Sequence, residues 1–235
     1  TAEQMLAQVR FVLGRRPEII HSRKLKVHFA RMGEPSLNPA VLEALEQLPS
    51  VLPVPGLLPC IASIAPKGTM RFFEDLLEIR KRVYEKHDFQ IQISVNSTDP
   101  AIRQFLTPTP LLDLETIATL GERFHLKGSR KVVLNFALGS TTWLDVDLLS
   151  RTFDNNHFAI KLTPLNPTIR SKNNNLSTVI SATAPNAAAQ LVHNLRQKNF
   201  DTIVSIGEPD EIRIGSNCGQ AVFLHLETEA QSAIN

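Results

Sequence analysis

Gly33-Glu34-Pro35 stands directly behind the apolar run at residues 25–30. A glycine there permits close backbone approach, and the Glu34 carboxylate is suited to pairing with a ligand ammonium group. Gly-Glu-Pro by itself also punctuates ordinary surface turns. Ser94-Val95-Asn96 and Pro164-Leu165-Asn166-Pro167 follow apolar runs in the same way. Near the end, Ser216-Asn217-Cys218-Gly219-Gln220 carries a thiol. As a thiolate it is a nucleophile, although a cysteine taken at random is more often inert and partly buried. Arg170 and Lys172 follow the fifth apolar run and are candidates for a substrate phosphate. The histidines have no metal-ligand spacing, no Ser-His-Asp set can be argued, and no Gly-rich phosphate loop appears.

These segments need elements to position them. Helical periodicity covers residues 1–13 and 72–84, the stretches after Asn38-Pro39 and Asp113, residues 144–153, and the stretch after Asn186. Strand-like runs lie between them at residues 25–30, 57–64, 89–95, 131–138, 158–163 and 202–206. Alternation of this kind predicts parallel βαβ units, and hence an open doubly wound sheet or a full or partial β/α barrel. The strand faces favour a barrel with a polar lumen. Gln90, Gln92, Ser94 and Asn96 fall on one face of the third run, Asn135 sits between Val133 and Ala137, Lys161 shares a side with Thr163, and Lys26 with His28. A parallel sheet covered by helices on both faces would be apolar on both. Inward polar groups are costly to bury unless a ligand, water or each other satisfies them.

The chain of 235 residues carries a net charge of +2, so composition alone names no nucleic-acid partner. Arg15, Arg16, Arg23, Lys24 and Lys26, and again Lys127, Arg130 and Lys131, precede strands and read as solvated faces opposite the site. There is no apolar run of membrane-spanning length and no secretory signal. Two cysteines, Cys60 and Cys218, make no disulfide framework and point to a reducing cytoplasm. One domain over residues 1–235 is expected. Thr1 and Gln4 form a capping box, so the chain opens inside a structural unit and a preceding segment is expected.

Taken in order, the segments resemble the radical SAM superfamily, and within it the RlmN/Cfr-type RNA adenine methyltransferases. Gly33-Glu34-Pro35 is similar to the family's S-adenosylmethionine-binding turn, and Ser94-Val95-Asn96 falls where the family has Ser-Leu-His. Arg103, Leu106 and Pro108 keep its downstream spacing, Pro164-Leu165-Asn166-Pro167 resembles its Pro-Phe-Asn-Pro, and Cys218-Gly219-Gln220 its Cys-Gly-Gln. The resemblance implies a partial β/α barrel of parallel strands lacking its first strand, with Gly33, Glu34, Ser94, Asn96 and Asn166 around S-adenosylmethionine. It also implies that Cys218 is methylated and carries the methyl group to C2 of an RNA adenine. In the family a second S-adenosylmethionine is cleaved reductively at a [4Fe-4S] cluster, with electrons from a flavodoxin or ferredoxin.

The chain departs from the pattern in several places, and the family's second reactive cysteine is among the residues not represented. The three closely spaced cluster cysteines are missing, which implies that they were lost or lie upstream of Thr1. Asn96 stands in place of a histidine, and Gly207-Glu208-Pro209-Asp210-Glu211 in place of a basic run. Two further readings therefore stand beside the RNA methyltransferase: a radical SAM reaction on a protein or small molecule, and a non-catalytic barrel that has lost its cluster.

Overall fold

The computed structural model describes residues 1–213 other than Met32, Lys86, His87, Lys127 and Glu208. Helix α1 (Ala2–Arg15) leads to β1 (Leu25–Phe29), α2 (Ala40–Val51), β2 (Leu57–Ser63), α3 (Met70–Val83) and β3 (Gln90–Ser94). Two helices, α4 (Pro100–Leu106) and α5 (Leu114–Phe124), precede β4 (Val132–Leu138) and α6 (Val146–Thr152). Then come β5 (Phe158–Pro164), α7 (Ile169–Asn173), α8 (Ala189–Gln197), β6 (Asp201–Val204) and α9 (Pro209–Arg213). The strands form one sheet in the order β1-β2-β3-β4-β5-β6. Leu25 pairs with Leu57, Cys60 with Gln90 and Ala159 with Asp201, each in parallel. The class is therefore α/β with a parallel sheet, as the alternation of periods required. The short helices α4, α7 and α9 were not foreseen.

By its internal contacts the chain divides into two compact units: residues 1–29, 34–93 and 109–133, and residues 30–33, 94–108 and 134 onward. In the first, the Thr1 side chain caps α1 by accepting from the Gln4 amide, completing the expected capping box. Helix α1 packs on α2, α2 on α3 and α3 on α5. Leu45, Leu48, Phe73, Leu76 and Ile117 are fully buried there, together with most of β2. Gly56 is dictated by contact, because a Cβ at this position would lie 2.0 Å from the carbonyl oxygen of Arg23. Its own carbonyl accepts from the Leu25 amide at 2.8 Å, setting the start of β1.

One buried hydrogen bond in this unit repairs a defect written into α2. The carbonyl of Leu45 would normally accept from residue 49, but Pro49 has no amide hydrogen. The Tyr84 hydroxyl donates to that carbonyl instead, at 2.5 Å, and the tyrosine ring leans on Phe89 with centroids 5.3 Å apart.

In the second unit, Leu134, Phe136 and Leu138 of β4 and Ile160 and Leu162 of β5 are buried, and Phe153 meets Phe158 edge-on at 5.0 Å. Strand β6 is covered by α8 through Leu195, yet Ile203 and Val204 stay exposed.

The expected alternation appears in β3 and β1, whereas β2 and β4, Asn135 included, are buried on both faces. Ile91, Ile93 and Val95 are buried while Gln92, Ser94 and Asn96 are half-exposed, and β1 exposes Lys26 and His28 between half-buried Leu25, Val27 and Phe29. Gln90 behaves differently from its face-mates. It is buried, and its amide donates to the carbonyls of Ile91 (3.1 Å) and Lys131 (2.9 Å), so backbone rather than a ligand satisfies it. No helix among the described residues is long and apolar enough to cross a membrane.

Candidate functional site

In the first unit the chemistry gathers on Glu34. Its Oε1 accepts from the Ser36 amide (3.1 Å), the Ser36 hydroxyl (2.6 Å) and the Ser63 hydroxyl (2.5 Å), and its Oε2 from the Ile64 amide (2.9 Å). Ser36 belongs to the short 3₁₀ turn Pro35–Leu37, which Glu34 caps, while Ser63 and Ile64 end β2. The carboxylate thus ties the turn after β1 to the neighbouring strand, using about as many acceptor positions as a carboxylate has. All four donors are uncharged, and no cation among the described residues pairs with this half-buried carboxylate.

The second unit holds Gly33, Ser94, Asn96 and Asn166. Gly33 has φ +114°, a backbone conformation for which glycine is the natural choice. At the end of β3, the amides of Val95 (2.9 Å) and Asn96 (3.2 Å) both donate to the carbonyl of Asn135. Two residues opposing one make a bulge that turns the chain. Asn96 takes the left-handed conformation there, φ +64°, which asparagine tolerates better than most residues. Its side-chain Oδ1 accepts from the Ala137 amide at 3.3 Å. Ser94 is half-buried, and its hydroxyl bonds to no described residue.

Asn96 also lines a cavity of about 100 Å³ with Phe105, Leu106, Ala137, Leu165, Thr168, Ser171, Asn174 and Leu176. Asn166 lies between two of these residues, and its carbonyl accepts from the Ser171 hydroxyl (3.0 Å) and the Thr168 amide (2.8 Å). The segment is anchored further by the Leu165 amide, which donates to the Thr178 hydroxyl at 3.1 Å. The segments after β3 and β5, singled out separately in the sequence, therefore meet around one cavity. Ser94 and Asn166 are not themselves in its wall.

Helix α4 supplies Phe105 and Leu106 to the wall, and sequence reasoning missed it. Asp99-Pro100 was the available signal, an N-cap followed by proline in the first turn. The Asp99 carboxylate accepts from the amides of Ala101 (2.8 Å) and Ile102 (2.9 Å), and the Ser97 hydroxyl accepts from the Asp99 amide (3.1 Å). The same loop holds the segment after β4, since the Trp143 carbonyl accepts from the Thr98 amide (2.9 Å) and the Ser97 hydroxyl (2.7 Å). The Trp143 ring is left 62% exposed.

Of the remaining expectations, Cys218, Gly219 and Gln220 lie outside the described residues. Lys172 is exposed, and Cys60 is buried in β2. Among the described residues no three His, Cys, Asp or Glu side chains converge as a metal-holding set. No protein-family model matches this chain, and no curated protein matches it.

Proposed function

We propose that this chain is the S-adenosylmethionine-binding core of a radical SAM enzyme, a partial β/α barrel without the family's first strand, related to the RlmN/Cfr-type RNA adenine methyltransferases. The observation that supports this reading is the shared cavity of the second unit, where Asn96 after β3 meets Leu165 and Thr168 on either side of Asn166 after β5. Both segments follow the C-terminal ends of parallel strands, where α/β proteins bind their ligands.

The side chains present suit part of such a ligand. Asn96, Thr168, Ser171 and Asn174 offer amides and hydroxyls in the cavity. A volume near 100 Å³ encloses only a fragment, since sites for whole ligands of this size span about 300–1,000 Å³. The described residues do not suit a [4Fe-4S] cluster, because Cys60, the one cysteine among them, is buried. In this reading the cluster ligands belong to a longer chain, and Cys218 is the methyl carrier.

A second reading, radical SAM chemistry on a substrate other than RNA, is favoured by the Arg31–Glu211 ion pair at 3.2 Å. Glu211, from the acidic run that replaces the family's basic one, neutralises a cation that a phosphate would otherwise use.

Calorimetric titration of the wild-type chain with S-adenosylmethionine and S-adenosylhomocysteine tests the reading. Binding is expected to weaken in Asn96→Gly, a change that keeps the backbone conformation and deletes the amide from the cavity wall. Absence of wild-type binding to either ligand at millimolar concentration would end the proposal.

A further inference from the structure

One amide in the wall of the second unit's cavity has a fixed orientation and an unused end. Asn96 Oδ1 accepts from the Ala137 amide at 3.3 Å, and a backbone N–H only donates, so turning the side chain over would set NH₂ against N–H. The Nδ2 group bonds to no described residue, and Asn96 is half-exposed in the wall. The hydroxyls of the wall are already engaged. Thr168 Oγ1 donates to Ser171 Oγ (3.3 Å) and accepts from the Ser171 amide (3.1 Å), while Ser171 Oγ donates to the Asn166 (3.0 Å) and Thr168 (2.8 Å) carbonyls. Among the described residues no wall residue is charged, and Phe105, Leu106, Ala137, Leu165 and Leu176 are apolar. Phe105 keeps 45% exposure there. Asn96 stands where the family pattern has a histidine, so its role is not carried over from the resemblance.

We propose that this cavity takes an uncharged nucleobase with its edge toward Asn96, whose Nδ2 donates to a ring nitrogen or carbonyl oxygen of the base. This deepens the S-adenosylmethionine reading and rests on it for where the base comes from, the cofactor or a substrate nucleotide. An ammonium or carboxylate group would lose its water here without gaining a counter-ion, which is costly, so the amino-acid end of S-adenosylmethionine belongs elsewhere. A flat ring buries its faces against the apolar wall and Phe105, while its edge carries the acceptor that Nδ2 needs. The volume of about 100 Å³ is that of about three waters at roughly 30 Å³ each, enough for one ring and too little for a whole nucleoside.

Adenosine, methionine and S-adenosylmethionine are titrated separately into the ¹⁵N-labelled wild-type chain and into Asn96→Asp. Binding is followed by calorimetry and, in the wild type, by the Asn96 side-chain amide resonance, assigned by its loss in Asn96→Gly. Aspartate tolerates the left-handed backbone at φ +64°, and its carboxylate still accepts from the Ala137 amide, so the turn survives while the donor is gone. Adenosine is expected to shift the Asn96 resonance and to bind Asn96→Asp at least about tenfold more weakly, since two acceptors then face each other. A purely structural Asn96 would leave the two affinities equal. Adenosine displaced by S-adenosylmethionine makes the cofactor's base the occupant, and adenosine bound alongside it makes a substrate's base the occupant; both support the inference. Asn96-dependent adenosine binding without any binding of S-adenosylmethionine supports it and removes the sulfonium reading. S-adenosylmethionine binding that leaves the Asn96 resonance unmoved, with adenosine unbound or bound equally by Asn96→Asp, overturns the inference while sparing that reading. A shift of the Asn96 resonance by methionine, or no response to any of the three, overturns it as well.

Discussion

At the scale of single residues, Glu34 and Tyr84 each fill a place that chemistry nearby leaves empty. Glu34 offers two oxygens to four donors, and Ile64 approaches Oε2 with an amide N–H. In Glu34→Gln the isosteric amide must turn its NH₂ toward one of these donors, opposing like to like. The expected cost is about 1–3 kcal/mol of folding stability, read as a lower denaturation midpoint with unchanged slope. Tyr84 stands in for the amide hydrogen that Pro49 lacks. Tyr84→Phe leaves the Leu45 carbonyl buried and unpaired, at an expected cost of about 1–3 kcal/mol. Burial also pushes the Tyr84 phenol well above its ordinary value of 10.0. The fold therefore binds this proton more tightly than the unfolded chain does, and the associated stability is fully present below pH 10 and declines as pH rises beyond it. Tyr84→Phe should flatten that alkaline decline. Because Tyr84 is the sole tyrosine, phenolate absorbance reports it directly and should appear together with unfolding. None of this was legible locally: Pro49 announces a missing donor, but its substitute lies 39 residues from Leu45.

Elements show the opposite balance. Of the aspartates before helices the sequence reading used only Asp113, yet three cap as their type dictates: Asp99 for α4, Asp113 for α5 and Asp145 for α6. Hydrogen bonding from Thr116, whose amide lies 2.7 Å from Asp113 Oδ1, holds the Asp113 carboxyl below its ordinary value of 3.8. A depressed value means the cap's ionic contribution is present above that pH and fades as acid protonates it. Asp113→Ala should lower stability by about 1 kcal/mol at neutral pH and Asp113→Asn by less, since asparagine caps nearly as well. Thermal melts of the two variants decide this. The alternation in β3 was legible for a similar reason, because side chains change face at every residue whatever the strand pairs with. What alternation could not show was the fate of each polar side chain. Gln90 found backbone carbonyls, while Asn135 in the next strand found a partner for its nitrogen alone.

Strand order follows chain order, so β4 has a neighbour on each side and, among the described residues, β6 pairs only with β5. Amides of Leu134 and Phe136, whose side chains are fully buried, should exchange hydrogen slowest, and those of Ile203 and Val204, both exposed, fastest. Equal protection of the two strands would contradict the pairing. The six strands and six of the helices could be read in order, though not α4, α7 and α9, because period-two and period-3.6 patterns arise from backbone geometry a few residues long. Gly33, Ser94, Asn96 and Asn166 could be flagged because they follow strands, where loops carry function. Which of them share a wall, why Glu34 is held by Ser63 and Ile64, and why Asn135 keeps an open acceptor depend on contacts between segments far apart in the chain. Those contacts are set by packing and register, and no local pattern of residue types encodes them.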